Sequence, residues 1–276
     1  IIAAGRARFH GMLKKAALVM VGGKASNADA SSSRSVEIAN RIAEGVGATG
    51  GDRVAGQTAG TEFEKACLAF LQYTFPVLNH IRPGDWCVKQ SGPTGIAEFE
   101  QYAHLSEVEL AIRNQPELRV ALGGDYIIKP DVVVCRLPLQ DSLINANQKV
   151  VDSDCATKSA IREYSGPLPL LHASVSCKWT MRSDRAQNTR SEALNLIRNR
   201  KGRLPHIVVV TAEPLPSRIA SIAMGTGDID CVYHFALPEL VSAVCGDSTR
   251  DAQLLDLMVE GKRLKDISDL PLDLAV

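Results

Sequence analysis

The chain has 276 residues, of which 45% are apolar, so it can bury a large hydrophobic core. Its 31 basic and 31 acidic residues cancel, which excludes a uniformly basic nucleic-acid coat but not a local basic cluster. Seven cysteines are widely spread without a CxxC pair, and no apolar run approaches the roughly 20 residues that span a bilayer. These features exclude a disulfide or cysteine–zinc framework and an integral membrane protein, and we expect a soluble cytoplasmic chain.

In the first half of the chain, apolar residues recur at helical spacing. The predicted helices lie at about 5–20, 33–46, 61–81 and 96–115. Pro76 is expected to bend or end the third of these helices. The glycine-rich stretch at residues 45–60 is predicted to be a surface loop with irregular backbone.

The second half of the chain alternates β-rich runs with helices. Strands are predicted at about 126–136, 170–182, 206–212 and 231–236, and helices at about 184–199, 216–224 and after 237. This alternation predicts an α/β fold with a sheet that is at least partly parallel and has helices on both faces. No Pro-, Gly- or Ser-rich linker divides the chain, so we expect one domain over residues 1–276.

The strand predicted at 170–182 has an unusual pattern of side chains. Ser176 and Lys178 are two residues apart and therefore share one face, while Cys177 and Trp179 point to the other. A lysine on an otherwise apolar strand is a candidate catalytic group. The structural alternative is a lysine on an edge strand that reaches past apolar neighbours to water.

Two acidic residues could join this lysine. Asp131 stands in an apolar run, where an unpaired buried carboxylate would be costly, so we expect it at a strand end or facing a cleft with a metal. A simple Pro-Asp turn is the alternative. Glu192 falls in the helix after the strand and could reach back to the same metal, or it could face solvent. Glu62 and Glu64 flank Phe63 at a helix start and could simply favour the positive helix end.

The RSDR element, residues 182–185, follows the strand at the start of a helix. Arginine pairs bidentately with guanine and aspartate accepts from cytosine N4, so Arg182, Asp184 and Arg185 suit a G/C-rich site. Residues 178–203 contain eight basic and two acidic side chains, which makes them the candidate phosphate-facing surface. In the structural alternative, Asp184 caps the helix and the arginines pair with nearby acids.

The order KPD, then SVSCKW some 45 residues later, then RSDRAQNTRSEAL resembles the PD-(D/E)xK nuclease superfamily. Within it, the chain is most similar to the restriction endonucleases that read a CCGG core, over its whole length and most strongly at residues 126–236. One departure concerns Ser176, which stands two residues before the lysine, where the superfamily has Asp or Glu. In the CCGG-reading subgroup the following helix supplies this acid, and here that residue is Glu192.

The resemblance implies a restriction-endonuclease-like mixed sheet and a set of catalytic roles. Asp131 and Glu192 would bind Mg²⁺ with help from the Cys177 carbonyl, and Lys178 would orient and activate water. Glu64 matches the additional acid of the family, with Glu62 as the second candidate. The implied catalytic set is Asp131, Ser176, Lys178, Glu192 and Glu64.

The same resemblance implies the DNA contacts. Arg182, Asp184 and Arg185 would read the inner CCGG bases of double-stranded DNA. Candidates for the outer base pairs are Arg218, Gln57, and Asp29 or Ser31. The implied activity is that of a type II restriction endonuclease, cutting both strands at a CCGG-containing palindrome, GCCGGC, to leave 5′-phosphate ends. The implied assembly is a tetramer of two DNA-binding dimers.

Two other functions are compatible with the same residues. A sequence-nonspecific or structure-selective repair nuclease could use Asp131, Lys178 and Glu192, although the RSDR element argues against it. A non-enzymatic DNA-binding protein of the same fold is the second alternative, and the complete set of Asp, Lys and Glu argues against that.

Overall fold

This computed structural model describes residues 1–52, 54–115, 117, 120, 127–225, 227–246 and 249–276. In chain order, the strands are β1 Met20–Val21, β2 Lys24–Ala25, β3 Trp86–Lys89, β4 Val132–Arg136, β5 Leu170–Lys178, β6 His206–Thr211, β7 Cys231–His234 and β8 Leu264–Asp266. The α-helices are α1 Ile2–Ala16, α2 Ser33–Val46, α3 Gly56–Thr74, α4 Leu105–Asn114, α5 Asp141–Ile144, α6 Ser183–Asn199, α7 Pro216–Ala223, α8 Leu237–Val244, α9 Arg250–Glu260 and α10 Leu270–Asp273. Short 3-10 helices cover Pro76–His80, Gly95–Glu98, Glu100–Tyr102 and Glu163–Ser165.

A six-stranded sheet in the order β3-β4-β5-β6-β7-β8 forms the centre of the fold. The pairs from β3 to β5 are antiparallel and those from β5 to β8 are parallel, so the predicted mixed sheet is confirmed. Val132–Cys135 of β4 and Ile207–Thr211 of β6 are buried at consecutive positions, which means that both faces of these strands are covered. Helices supply this cover, and α3 packs against β3, β4 and β5.

The register of the central strands determines where side chains meet. Val132 pairs with Val175 across the antiparallel β4–β5 pair, and Lys178 pairs with Thr211 across the parallel β5–β6 pair. The beginning of β4 and the ends of β5 and β6 therefore lie side by side, and we call this part of the sheet the C-terminal end of β5. The chain continues from here into α6 and α7.

The structure corrects the predicted helix boundaries in the first half of the chain. Residues 56–60 belong to α3 and not to a loop, because Ala59 extends the buried stripe that continues at Phe63. The helix predicted at 61–81 ends at Thr74, before Pro76, since proline cannot continue the helical hydrogen bonding. The helix predicted at 96–115 is two 3-10 turns followed by α4, with Phe99 extended between the turns.

Strand boundaries also differ from the prediction. The strand predicted at 126–136 begins at Val132, because Pro130 lacks the N–H needed for the ladder. Its first predicted residue lies outside the described residues. β5 ends at Lys178, four residues earlier than predicted, and the sheet gains the short strands β3 and β8, which were not predicted. In the described part of the chain, no helix combines the length and apolar character needed to cross a membrane.

Candidate active site and DNA-reading surface

Asp131 and Lys178 meet at the C-terminal end of β5, beside the beginning of β4. Asp131 Oδ2 accepts a hydrogen bond from the backbone N–H of Cys177 at 2.7 Å. The same oxygen lies 3.4 Å from Lys178 Nζ, and both side chains are about one-fifth exposed. Because β5 lies between β4 and β6, Lys178 is not on an edge strand, which removes the structural alternative for this lysine.

Two glutamates lie near this pair. Glu64 is on α3 and Glu192 is on α6, and both line a cleft of about 370 Å³ together with Lys178. Burial raises the pKa of both glutamates, the negative charge of Asp131 adds to the rise, and Lys178 opposes it. The other helix-start acid, Glu62, pairs instead with Lys65 at 2.7 Å. The structure therefore brings Glu64, and not Glu62, to the cleft.

The donor set in this cleft fits a hard divalent cation. Asp131, Glu64 and Glu192 interact electrostatically with Lys178, and Arg185 also lines the cleft, so these acidic groups outnumber the basic ones by three to two. The Ser176 hydroxyl is buried and has no hydrogen-bond partner among the described residues. No group of three or more His, Cys, Asp or Glu side chains in those residues is already arranged around one point. One or two carboxylates completed by water and phosphate oxygens are nevertheless the usual surroundings of Mg²⁺.

We call residues Arg182–Arg185 the recognition segment. It begins α6, and all four of its residues are exposed. Arg182 occupies the N-cap position and no side chain caps the helix, so the alternative in which Asp184 caps α6 is wrong. Arg185 donates to the backbone oxygen and hydroxyl of Thr180 at 3.2 and 3.1 Å, and it makes no ion pair within the described ranges. The charges of this segment are thus open to a ligand.

A second, larger cleft of about 790 Å³ adjoins the first. Its lining includes Arg182, Arg185, Asp29 and Ser31, and it shares Arg185 with the smaller cleft. Ser31 donates to Asp29 Oδ1 through its hydroxyl at 2.6 Å. Among the other outer-pair candidates, Gln57 is exposed at the start of α3 and lines the smaller cleft beside Glu64.

Arg218, on α7, does not line the larger cleft itself but is hydrogen-bonded to Asp29, which does. Its Nη2 lies 2.5 Å from Asp29 Oδ2, although the two residues are 189 positions apart in the chain. The hydrogen bonds from Arg218 and Ser31 hold the pKa of Asp29 well below its usual range. Asp29, Ser31 and Arg218 therefore form one polar group beside the recognition segment.

Glu213 is a further residue near the C-terminal end of β5 that the sequence analysis did not single out. It follows β6 and is fully buried. Its carboxylate accepts from the backbone N–H groups of Met181 at 2.7 Å and Leu215 at 3.1 Å, and burial raises its pKa to about 7. Its position in the sequence could have indicated it, because Glu213 follows an apolar strand that ends beside Lys178.

One known protein family matches nearly the whole chain. The family model described as NgoMIV restriction enzyme matches residues 9–276. The type II restriction enzyme NgoMIV of Neisseria gonorrhoeae is 58% identical over 259 residues, which cover 92% of this chain and 91% of that protein.

Two solved structures show weaker likenesses. The Bse634I restriction endonuclease is 13% identical and covers 77% of this chain and 78% of its own, with a TM-score of 0.36. The PspGI restriction endonuclease in complex with substrate DNA is 18% identical and covers 37% of this chain and 38% of its own, with a TM-score of 0.26. These scores are too low to relate the folds residue by residue. The family match and the 58% identical relative decide the matter: the chain belongs to the NgoMIV restriction enzyme family and is a type II restriction endonuclease.

Proposed function

We propose that this enzyme makes Mg²⁺-dependent double-strand cuts at a palindrome with a CCGG core, GCCGGC in full, and leaves 5′-phosphate ends. The observation that carries the proposal is the continuity of the two clefts. Lys178 of the Asp131–Lys178 pair lines one cleft, and Arg182 and Arg185 of the recognition segment line the other, with Arg185 common to both. A duplex lying along both clefts would be read and cut by neighbouring residues.

In this proposal, Asp131 and Glu192 would hold the metal ion with the Cys177 carbonyl. Bound there, Mg²⁺ would supply Lewis acidity toward the phosphate and lower the pKa of water. The hydrogen bond from the Cys177 N–H orients the Asp131 carboxylate before any ligand arrives. Glu64 lies across the cleft, where its carboxylate adds to the acidic charge that attracts the ion.

Lys178 is assigned the role of positioning the attacking water and the phosphate that it attacks. Its ammonium group is held near Asp131 and remains partly exposed, so it can donate to both. Ser176 lies on the same face of β5, and its buried hydroxyl has no hydrogen-bond partner among the described residues. Attack by the water oxygen forms a new P–O bond and breaks the bond from phosphorus to O3′. The products carry a 5′-phosphate and a 3′-hydroxyl.

The recognition segment is assigned to the inner base pairs. Arg182 and Arg185 offer the bidentate donors that match guanine O6 and N7, and Asp184 offers an acceptor for cytosine N4. None of these three side chains makes an ion pair in the described parts of the chain, so DNA does not have to displace one. Placement at the N-terminus of α6 also directs backbone N–H groups outward, where phosphate binds favourably.

The outer G·C pairs are assigned to the polar group formed by Asp29, Ser31 and Arg218. Arg218 is a guanine donor and Asp29 is a cytosine acceptor, and they already lie 2.5 Å apart. Such a donor and acceptor side by side match the two bases of one G·C pair. Gln57 is assigned to the same outer pair from the start of α3, where it lines the smaller cleft.

We further propose that residues 1–276 form one domain and that the enzyme is a tetramer of two DNA-binding dimers in the cytoplasm. Buried apolar side chains from Phe9 to Ala275 belong to one cluster, which supports a single domain. All seven cysteines are free, and proteins of reducing compartments rarely carry disulfides. Sedimentation of the purified protein tests the tetramer, and a monomer or isolated dimer bound to cognate DNA would contradict it.

The decisive experiment incubates the purified enzyme with a plasmid that contains one GCCGGC site. Linear DNA with both ends inside that site is expected in Mg²⁺, and no cutting is expected with EDTA or with Lys178→Ala. Sequencing of the ends locates the cut on each strand. Cutting throughout the plasmid would instead identify a nonspecific or structure-selective nuclease, and cutting at another palindrome would refute the assigned site.

A further inference from the structure

We propose that Glu213 is a positioning residue that holds the recognition segment and Arg218 in one fixed arrangement for reading DNA. This inference rests on the proposed function, because it presumes that these arginines contact bases. Glu213 itself is fully buried and cannot touch DNA. It acts through the residues that its carboxylate holds.

The two oxygens of Glu213 bind different segments of the chain. Oε2 accepts from the backbone N–H of Met181, the residue directly before Arg182, at 2.7 Å. Oε1 accepts from the backbone N–H of Leu215, the residue before α7, at 3.1 Å. One buried carboxylate is therefore hydrogen-bonded to the residue before the recognition segment and to the residue before the helix that carries Arg218. A rotation of either segment would break one of these hydrogen bonds.

Charge adds a third connection. Arg218 Nη1 lies 3.8 Å from Glu213 Oε1, while its Nη2 bonds to Asp29, so the guanidinium lies between two carboxylates. Asn27, which precedes Asp29 in the same loop, donates to the backbone oxygen of Ala212 at 2.8 Å. Residues 212 and 213 thus hold three of the four segments assigned to base reading: the loop with Asp29, the recognition segment through Met181, and α7 through Leu215. The fourth, the start of α3 with Gln57, is not part of this set.

The catalytic lysine is anchored separately. The backbone oxygen of Lys178 accepts from Thr211 Oγ1 at 2.9 Å and from the N–H of Ala212 at 3.2 Å. These contacts continue the β5–β6 pairing and do not involve the Glu213 side chain. Loss of the carboxylate is therefore expected to disturb recognition more than cleavage.

Burial of this carboxylate is costly, and an apolar side chain of similar volume would avoid the cost. The charged and titratable groups around it are Arg218, Asp29 and His234, whose ring nitrogen Nε2 lies 3.2 Å from the Glu213 backbone oxygen. Of these, only Arg218 is positively charged when His234 is neutral, and burial lowers the pKa of His234 to about 4. The arrangement is thus built around one arginine and two backbone N–H groups.

The test compares Glu213→Gln with Glu239→Gln. Glutamine keeps the shape of glutamate, but it places an NH₂ group against one of the two N–H donors and removes the charge opposite Arg218. Glu239 is a matched control, because it also loses an arginine pair, with Arg6 at 2.6 Å, on a different part of the fold. Arg218→Ala serves as the reference for lost outer-pair reading.

Single-turnover cleavage in Mg²⁺ is measured against enzyme concentration for GCCGGC and for duplexes altered at the outer or inner base pairs. For Glu213→Gln we expect a half-saturating concentration raised about tenfold on GCCGGC and a preference over outer-pair variants reduced about tenfold, in the range of one lost base contact. The saturated cleavage rate should stay within about threefold of wild type. Glu239→Gln should change neither the half-saturating concentration nor the preference over outer-pair variants by more than about twofold. If Glu213→Gln does not fold, Glu213→Asp, which keeps the charge, is measured in the same way.

The proposal is overturned if Glu213→Gln preserves concentration dependence and site preference, if Glu239→Gln has the same effect, or if only the saturated rate falls. Failure of the proposed function has a different signature. In that case the wild-type enzyme itself shows no preference for GCCGGC, or Arg218→Ala leaves the outer-pair preference unchanged.

Discussion

The backbone N–H of Cys177 donates to Asp131 Oδ2 at 2.7 Å, which is much shorter than the 3.4 Å from the same oxygen to Lys178 Nζ. The orientation of the Asp131 carboxylate is therefore set mainly by the peptide group between Ser176 and Cys177. Asp131 directly precedes β4 and Lys178 ends β5, so the pairing of β4 with β5 brings the acid and the lysine together. A substitution can therefore remove the charge at residue 131 while the backbone contact that positions the side chain is kept.

Asp131→Asn should abolish cleavage without unfolding the protein. The amide oxygen of asparagine can still accept from the Cys177 N–H, whereas the charge that would hold a metal ion is gone. We expect the single-turnover cleavage rate to fall by at least about 10³-fold, and that of Lys178→Ala to fall similarly. Thermal unfolding and binding to a GCCGGC duplex provide the controls. Full cleavage by either variant in Mg²⁺ would contradict the assigned roles.

Glu64→Gln and Glu62→Gln form a matched pair on the same turn of α3. Glu64 faces the cleft with Asp131 and Lys178, while Glu62 pairs with Lys65 at the surface. We expect Glu64→Gln to lower the cleavage rate roughly 10- to 100-fold, as is usual for a residue that supports a metal site. Glu62→Gln should stay within about twofold of wild type. A larger loss for Glu62→Gln, measured under the same single-turnover conditions, would reverse the assignment.

Arg185→Ala and Arg198→Ala separate base reading from general attraction to phosphate. Both arginines are exposed on α6, and each substitution removes one positive charge. Loss of the guanine contact by Arg185 should reduce the preference for CCGG over altered cores by about 1–3 kcal/mol, roughly 5- to 150-fold. Arg198→Ala should weaken binding to all duplexes to a similar, smaller degree and leave the preference intact. Competition binding with both kinds of duplex measures the two effects, and an equal loss of preference in both variants would refute the distinction.

Glu213→Gln should become more stable relative to wild type as the pH rises. Burial raises the pKa of Glu213 from 4.5 to about 7, so between these values folded wild type binds more protons than unfolded wild type. Its free energy of unfolding therefore loses a contribution of roughly 3 kcal/mol as the pH rises through this window. Glutamine does not titrate, and the histidines are common to both proteins.

Urea unfolding of both proteins at pH 5 and at pH 8 checks this expectation. The difference in free energy of unfolding, variant minus wild type, should shift in favour of Glu213→Gln by most of that amount. Glu239→Gln is the control, because the hydrogen bonds from Arg6 lower the pKa of Glu239 against the effect of burial. Parallel curves for wild type and Glu213→Gln would show that Glu213 does not titrate in this range.

Local patterns in the sequence were sufficient for much of the fold and for the candidate residues. The predicted bounds of α2, 33–46, coincide with those of the helix, and the strand alternation placed Ser176 and Lys178 on one face of β5. These features depend on neighbours a few residues away, because helical and extended backbones have fixed periods. The short strands β3 and β8 have too few residues for such a pattern and form through pairing with distant strands.

Contacts between distant parts of the chain decided the rest. Nothing local distinguishes Glu64, in the cleft, from Glu62, and nothing local joins Arg218 to Asp29 across 189 positions. Glu213 reads as an ordinary acid after a strand until the fold buries it against the Met181 and Leu215 N–H groups. The physical reason is that burial and charge interactions depend on which segments the sheet brings together. Residue type and local backbone period thus determine which groups are available, and strand register determines which of them meet.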